Sequence, residues 1–374
     1  MQTLLAEEEP VALHGYCPSQ GDPGFRTAVA AHLAGTFGLP YEQKDIFPTT
    51  GAAGAIAHAI RAVTKPGDEV LTFAPYFPEY GPYVGGTGAV LKVVPPQAPA
   101  FQPNLDAFEA MLNENVTCVL INTPNNPTGV VYSARTLTRL ADILTEKSRA
   151  FGHTIFLVSD EPYRDIAFDG RKVPYPAAFY PHTLTCFSFS KSLSLPGERL
   201  GYVAVRPGCE GEELLVDMMA QISRFTGHNC PPSIIQRAVA QCLDVTSDLS
   251  VYETNMNLLY DALTGIGFDV VRRCTGGGAM FIEPGNTITY SLYAPLDFVQ
   301  GVSIEESYRL CDWWLVEALR ELGLDVRFAG LNDIASQYGK IGGAAQRRFP
   351  VGSGGAVLHH VTTVSYTHLT LPTT

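Results

Sequence analysis

No apolar run in this 374-residue chain approaches the length needed to cross a bilayer. The first residues, Met1 to Glu9, are acidic, unlike a secretory signal. A membrane span and an exported precursor are therefore not expected. Basic charge is also scarce: 25 lysines and arginines face 37 aspartates and glutamates, a net charge of −12, and no basic stripe offsets it. Nucleic acid and anionic membranes are thus disfavoured as partners. Paired cysteines are missing too. Cys17, Cys118, Cys186, Cys209, Cys230, Cys242, Cys274 and Cys311 are scattered singly with no C-x-x-C, several of them in apolar runs. Such spacing fits reduced, buried thiols rather than a zinc site or a disulfide framework, so no metal is expected and the expected compartment is cytoplasmic. Internal repeats and low-complexity tracts are absent.

What remains is ordinary globular composition, 46% hydrophobic and 17% charged, in a chain long enough for two domains. From about Gly24 to Ile222 helical and strand patterns alternate. Phe25–Phe37, Gly51–Val63 and Ser133–Arg149 read as helices, the last opened by a Ser N-cap. Glu69–Phe73, Ala89–Val94, Thr117–Asn122, Thr154–Asp160, Thr183–Ser190 and Tyr202–Val205 read as strands. Near-continuous apolar strands alternating with helices predict an α/β fold, a mainly parallel sheet covered on both faces. Helices follow at Glu212–Arg224, Ser233–Leu243 and Leu249–Leu263.

In open parallel sheets ligands collect beyond the carboxyl ends of the strands. Three strand ends here carry chemistry. One delivers Thr123-Pro124-Asn125-Asn126-Pro127-Thr128-Gly129, the next Asp160-Glu161-Pro162-Tyr163, and the third Ser188-Phe189-Ser190-Lys191, with Arg199 eight residues on. A strand-end lysine among hydroxyls is a candidate Schiff-base nucleophile, because partial desolvation frees its amine. Any one of these ends reads equally well as a turn, a cap or a surface lysine. Together they point to one site.

These motifs resemble the class I/II aminotransferases of the pyridoxal-phosphate fold-type I superfamily over about residues 10–270. The resemblance implies a seven-stranded-type large domain, an α/β/α sandwich, that exchanges an amino group between an amino acid and a 2-oxo acid. It implies that Lys191 holds pyridoxal 5'-phosphate as an internal aldimine and carries the substrate proton. Asp160 would pair with the pyridine nitrogen, and Asn126 and Tyr163 with the ring's phenolic oxygen. Ser188, Arg199 and the amides of Ala52 and Ala53, at the start of a helix, would cradle the phosphate. Phe77 would stack on the ring. Tyr16 would reach the phosphate of a neighbouring subunit, which implies a homodimer. The family also implies a longer covering segment before Tyr16, where about fifteen residues stand here. It further implies an arginine for the substrate α-carboxylate after residue 270, and no segment there matches it.

Beyond residue 270 the pattern changes. A triple glycine, Gly276-Gly277-Gly278, is followed by Asp333-Ile334, by Gly339-Lys340-Ile341-Gly342-Gly343-Ala344-Ala345-Gln346-Arg347 and by His359-His360. Taken singly, the glycines read as turns and the histidines as loop residues. Together, residues 268–365 resemble part of a lipoate–protein ligase of the biotin/lipoyl ligase superfamily, an α+β fold. That resemblance implies that Lys340 contacts an acyl-adenylate, with Asp333 and the Gly276–Gly278 loop lining its pocket. The last residues, 364–374, fit neither family and are similar to translated sequencing-adapter tails. The expected organisation is an aminotransferase large domain over 1–270, a ligase-like fragment over 271–363 and a non-biological tail over 364–374. The chain is expected to be a chimera joined near Val270–Arg273, an aminotransferase or, as alternatives, a lipoate–protein ligase or a non-functional fragment.

Overall fold

A computed structural model describes residues 2–98, 100–168, 170–265, 287–351 and 354–364. The Val270–Arg273 junction, the Gly276–Gly278 loop, Cys274 and residues 365–374 of the tail lie outside the described residues. The chain divides into two compact units, Met1–Asp261 and Ala262–Thr374.

The first unit opens with two short helices, α1 (Gln2–Glu7) and α2 (Pro10–His14). Helix α3 (Pro23–Phe37) follows, capped by Asp22, whose side chain accepts from the Phe25 amide at 2.9 Å, and closed by Gly38 at φ 72°. Then come β1 (Ile46–Thr49), α4 (Gly51–Val63), β2 (Glu69–Phe73), α5 (Tyr80–Gly85), β3 (Val90–Val94), α6 (Leu105–Met111) and β4 (Val116–Asn122). Helix α7 (Ala134–Phe151) is capped by Ser133, which accepts from the Thr136 amide, as its sequence predicts. The unit continues through β5 (Phe156–Asp160), β6 (Thr183–Ser188), α8 (Phe189–Ser192), β7 (Gly201–Val205), α9 (Glu212–Phe225) and α10 (Ser233–Ala240), and α11 (Leu249–Gly265) runs across the boundary at Asp261.

These strands form one seven-stranded sheet in the order β1-β7-β6-β5-β4-β2-β3. Strands β3, β2, β4, β5 and β6 run parallel, and β7 runs against both of its neighbours. Alternate side chains of β4 serve opposite cores. Cys118 and Leu120 pack in a core with Ile56, Ile60, Leu215 and Met219 of α4 and α9. Val119 and Ile121 pack in another with Phe108, Leu137, Leu140 and Leu144 of α6 and α7. A third core joins α3 and α10 to β7 through Phe25, Leu33, Ile235, Val239 and Tyr202. The α/β/α sandwich expected from the sequence is thus present.

Register brings the chemistry-bearing ends to one edge. Asn122 lies opposite Asp160, Asp160 opposite Cys186, Ser188 opposite Gly201, and Gly201 opposite Thr49. At that edge the backbones of β6, β7 and the α4 start nearly touch. A Cβ at Gly201 would stand 2.3 Å from the Phe187 carbonyl oxygen and 2.9 Å from the Gly51 carbonyl carbon. Gly201→Ala is therefore expected to destabilise the protein by about 2–3 kcal/mol, as overpacking against backbone does. A urea midpoint equal to that of the parent chain would refute this close approach.

The second unit holds a five-stranded antiparallel sheet, β8 (Thr287–Pro295), β9 (Val326–Ala329), β10 (Asp333–Ser336), β11 (Gly339–Val351) and β12 (Gly354–Val364), in the order β8-β12-β11-β10-β9. Helix α12 (Ile304–Glu321) starts at a reciprocal cap between Ser303 and Glu306 and buries Cys311 and Val316. Two sequence expectations change here. Gly342 and Gly343 lie inside strand β11 rather than in a turn, and His359 and His360 lie in β12 rather than in a loop. His359 is fully buried, its Nε2 2.7 Å from Asp312 Oδ1, and the Tyr290 hydroxyl donates to the same oxygen at 2.9 Å.

Candidate active site

Asp160 ends β5 as a buried residue, 5% exposed. The Tyr80 hydroxyl, from the fully buried start of α5, donates to Oδ2 at 2.6 Å, and among the described residues the buried Oδ1 has no partner. Burial pushes the Asp160 carboxyl up to about 7; the Tyr80 hydrogen bond opposes that shift and neighbouring Glu161 adds to it. A carboxylate in that state has one acceptor atom committed and one left for a buried N–H.

Phe77, three residues before Tyr80, is partly buried and meets its ring edge-on, with centroids 5.8 Å apart. Beyond β4, Asn122 fixes the turn by accepting from the Asn126 amide at 2.5 Å and donating to the Asp160 carbonyl at 2.8 Å. The Asn126 side-chain amide then reaches the Tyr163 hydroxyl at 3.5 Å. Burial first, and Asp160 second, raise the Tyr163 phenol above its ordinary value, so it is a neutral donor at pH 7. The structure therefore brings Phe77, Asn126, Asp160 and Tyr163 to one place.

The anion-cradle candidates gather beside them. Strand β6 stops at Ser188, two residues earlier than the sequence pattern indicates. Ser188 is buried, donates to Ser190 Oγ at 2.7 Å and caps the single turn α8. Lys191 lies on that turn and is exposed, so the desolvation expected of a strand-end amine does not extend to it. Helix α4 starts at Gly51, φ 77°, and Thr50 makes no side-chain cap to its first amides, those of Ala52 and Ala53 among them. The Arg199 guanidinium lies over this start, so a Cβ at Gly51 would meet its Nη2 at 2.9 Å. Glycine at 51 thus serves both the left-handed φ and the guanidinium. Tyr16, at 106% exposure, takes no part in the site within one chain.

Beneath the site lies a buried network that the sequence does not announce. Arg164 Nη1 meets Glu161 Oε2 at 3.2 Å and its Nη2 donates to the Tyr202 hydroxyl at 3.1 Å. The guanidinium also stacks over Phe187, 4.4 Å from the centroid. The Thr185 hydroxyl donates to Glu161 Oε1 at 3.3 Å. Glu161 and Arg164 flank Tyr163 in sequence, so this pair pins the loop that presents Asp160 and Tyr163. The only sequence signal is an acid and an arginine three residues apart beside an apolar strand.

In the second unit Lys340 Nζ pairs with Asp333 Oδ1 at 2.6 Å, across the β10–β11 hairpin and over Gly343, where a Cβ would stand 3.1 Å from Nζ. Among the described residues no three His, Cys, Asp or Glu side chains are grouped to hold a metal ion.

A family model described as Aminotransferase class I and II matches residues 2–283, and one described as Lipoyl protein ligase A/B catalytic domain matches residues 253–371. The chain is 29% identical over 269 residues to a probable aspartate/prephenate aminotransferase of Thermus aquaticus, covering 69% of this chain and 66% of that protein. It is also 29% identical over 277 residues to a probable N-acetyl-LL-diaminopimelate aminotransferase of Bacillus subtilis, covering 72% of this chain and 66% of that protein. The chain thus spans just under two thirds of the length of these curated relatives. The crystal structure of an amino transferase from Eubacterium rectale superposes with a TM-score of 0.69 at 43% identity, covering 71% of this chain and 67% of that one. With the sheet, its order of strand ends and the family model in agreement, this chain belongs to the class I and II aminotransferase family.

Proposed function

We propose that the first unit binds pyridoxal 5'-phosphate and transfers an amino group from an amino acid to a 2-oxo acid. The observation that carries this reading is Asp160, a buried carboxylate with one unpartnered oxygen, at the same sheet edge as Lys191 and the uncapped start of α4. The residues present fit the cofactor. Asp160 Oδ1 would accept from the protonated ring nitrogen, and Phe77 would lie against the ring. The Tyr163 hydroxyl and Asn126 amide would donate to its phenolic oxygen. Ser188, Arg199 and the amides of Ala52 and Ala53 would hold the phosphate.

Bound pyridoxal phosphate supplies an electron sink for the substrate α-carbon. Lys191 Nζ would hold the cofactor covalently until a substrate amine displaces it, and as the free amine it would then take and return the α-proton. Asp160 keeps the sink effective by holding a proton on the ring nitrogen. The Glu161–Arg164 pair holds the Asp160–Tyr163 loop still while this happens. On this reading Tyr16, exposed in one chain, would reach the phosphate of a second copy in a cytoplasmic homodimer. The test is amino-acid-dependent release of 2-oxo acids by the full chain with added cofactor, across the common amino acids. Lys191→Ala is expected to lower that rate by at least about 10³-fold. Absence of release from every amino acid in the parent chain refutes the activity.

A second reading concerns the second unit, favoured by the ligase model match and by the Lys340–Asp333 pair. On this reading Lys340 holds the carbonyl and phosphate of a lipoyl-adenylate, and Lys340→Ala abolishes ATP-dependent formation of that adenylate. The chimeric join near residue 270, between domains 1–270 and 271–363, is supported by the overlap of the two family matches at residues 253–283. Sequencing the source DNA across codons 264–275 tests it; one continuous gene in independent reads defeats it.

A further inference from the structure

Two cysteines that are scattered in sequence meet in space, one of them next to Tyr16. Cys17 lies between α2 and α3, and Cys230 lies in the connection from α9 to α10. Each thiol lies close enough to raise or lower the proton affinity of the other. Gln236 of α10 fixes the pair: its Nε2 approaches Cys17 Sγ at 3.8 Å and donates at 2.6 Å to the carbonyl of Pro231, the residue after Cys230. Its Oε1 accepts from the Asp22 amide at 2.8 Å. Both cysteines are partly exposed, whereas Cys118, Cys186, Cys209 and Cys311 are buried.

We propose that Cys17 and Cys230 are a modification site, a reversible disulfide that fastens the Tyr16 segment to the α9–α10 connection, formed by exchange with a low-molecular-weight disulfide. Cys230 attacks first. Burial raises its thiol, but the neighbouring Cys17 thiol and its own backbone amide oppose the shift. Burial, Cys230 and the Asp22 carboxylate push Cys17 up to about 11, and only the Arg237 guanidinium opposes them. The Cys230 thiolate bonds to one sulfur of the small disulfide and expels the other as a thiolate. Cys17 then loses its proton, attacks Cys230 Sγ and expels the second small thiolate. Two protein thiols are oxidised, one small disulfide is reduced to two thiols, and the two protein protons end on them. Both thiols titrate above neutrality, so the exchange accelerates as pH rises from 7 to 9.

The test uses the full chain treated with oxidised glutathione at alkaline pH, quenched with iodoacetamide, digested and mapped by mass. The expected result is a Cys17–Cys230 linked peptide pair lighter by two hydrogens, with both sites lost to alkylation and regained after dithiothreitol. Cys17→Ser is expected to leave glutathione trapped on Cys230. Chymotryptic cleavage after Tyr16 should slow about tenfold in the oxidised chain, because the cross-link suppresses local opening. Alkylation of both cysteines after oxidation, or glutathione on both, overturns the disulfide. Unchanged cleavage overturns the fastening. The linked-peptide and alkylation outcomes do not depend on the cofactor.

Discussion

Asp160→Asn is expected to lower amino-group transfer by about 10³-fold, close to 4 kcal/mol, while making the cofactor-free protein more stable above neutral pH. Both effects come from one carboxylate. Its unpartnered Oδ1 is the acceptor proposed for a charged ring nitrogen, and an amide of the same shape carries no charge to keep that nitrogen protonated. In the cofactor-free protein the same charge is a burden. Burial raises the folded-state carboxyl from its ordinary 3.8 to about 7, despite the Tyr80 hydrogen bond. The folded chain therefore binds the proton more tightly than the unfolded chain does. The stability this group contributes is full below 3.8 and is lost as pH rises towards about 7. The advantage of Asp160→Asn should be nil near pH 4, grow through that window and level off above it. Thermal midpoints of the cofactor-free proteins from pH 4 to 9 check this. A midpoint difference flat with pH contradicts it.

Arg164→Met is expected to cost about 3–5 kcal/mol of stability at pH 8, because it strands Glu161, which is fully buried, without its cation. The guanidinium's stacking on Phe187 is lost with it. Burial lifts Glu161 from 4.5 to about 7 even with Arg164 present to oppose it, so without Arg164 the carboxyl climbs further. The loss should shrink as pH falls towards 5, where the stranded acid is neutral in the folded state. Adding Glu161→Gln should restore part of the stability at pH 8, since it removes the unpaired charge. Urea unfolding of the single and double variants at both pH values measures this. A loss below about 1 kcal/mol, the same at both values, would mark the pair as unimportant to the loop.

Much of the first unit was legible because parallel strands are buried on both faces and end abruptly in polar residues. Asn126, Asp160 and Lys191 each follow such an end, and Ser133 is a cap by its chemistry alone. What escaped reading depends on distant partners. Strand β1 contains Pro48, an ordinary breaker, tolerated here because β1 is an edge strand paired only with β7, whose residues are more than 150 positions away. Tyr80 reads as one more aromatic until Asp160, 80 residues on, accepts its hydroxyl. Cys17 and Cys230 look unrelated for the same reason. In the second unit the glycines of β11 imitate turns, and His359 imitates a loop residue because its partner Asp312 lies 47 positions back. The exposure of Lys191 follows from the one-turn helix α8, too short for a periodic signal.

The central claim is that the first unit carries an assembled cofactor site at the carboxyl ends of β4, β5 and β6. Titrating pyridoxal phosphate into the purified full chain and following visible absorption tests it most directly. The account predicts a saturable band at one cofactor per chain. The band should vanish in Lys191→Ala while the far-ultraviolet circular dichroism stays that of the parent. A chain that stays colourless with excess cofactor, or a band that survives in Lys191→Ala, would contradict it.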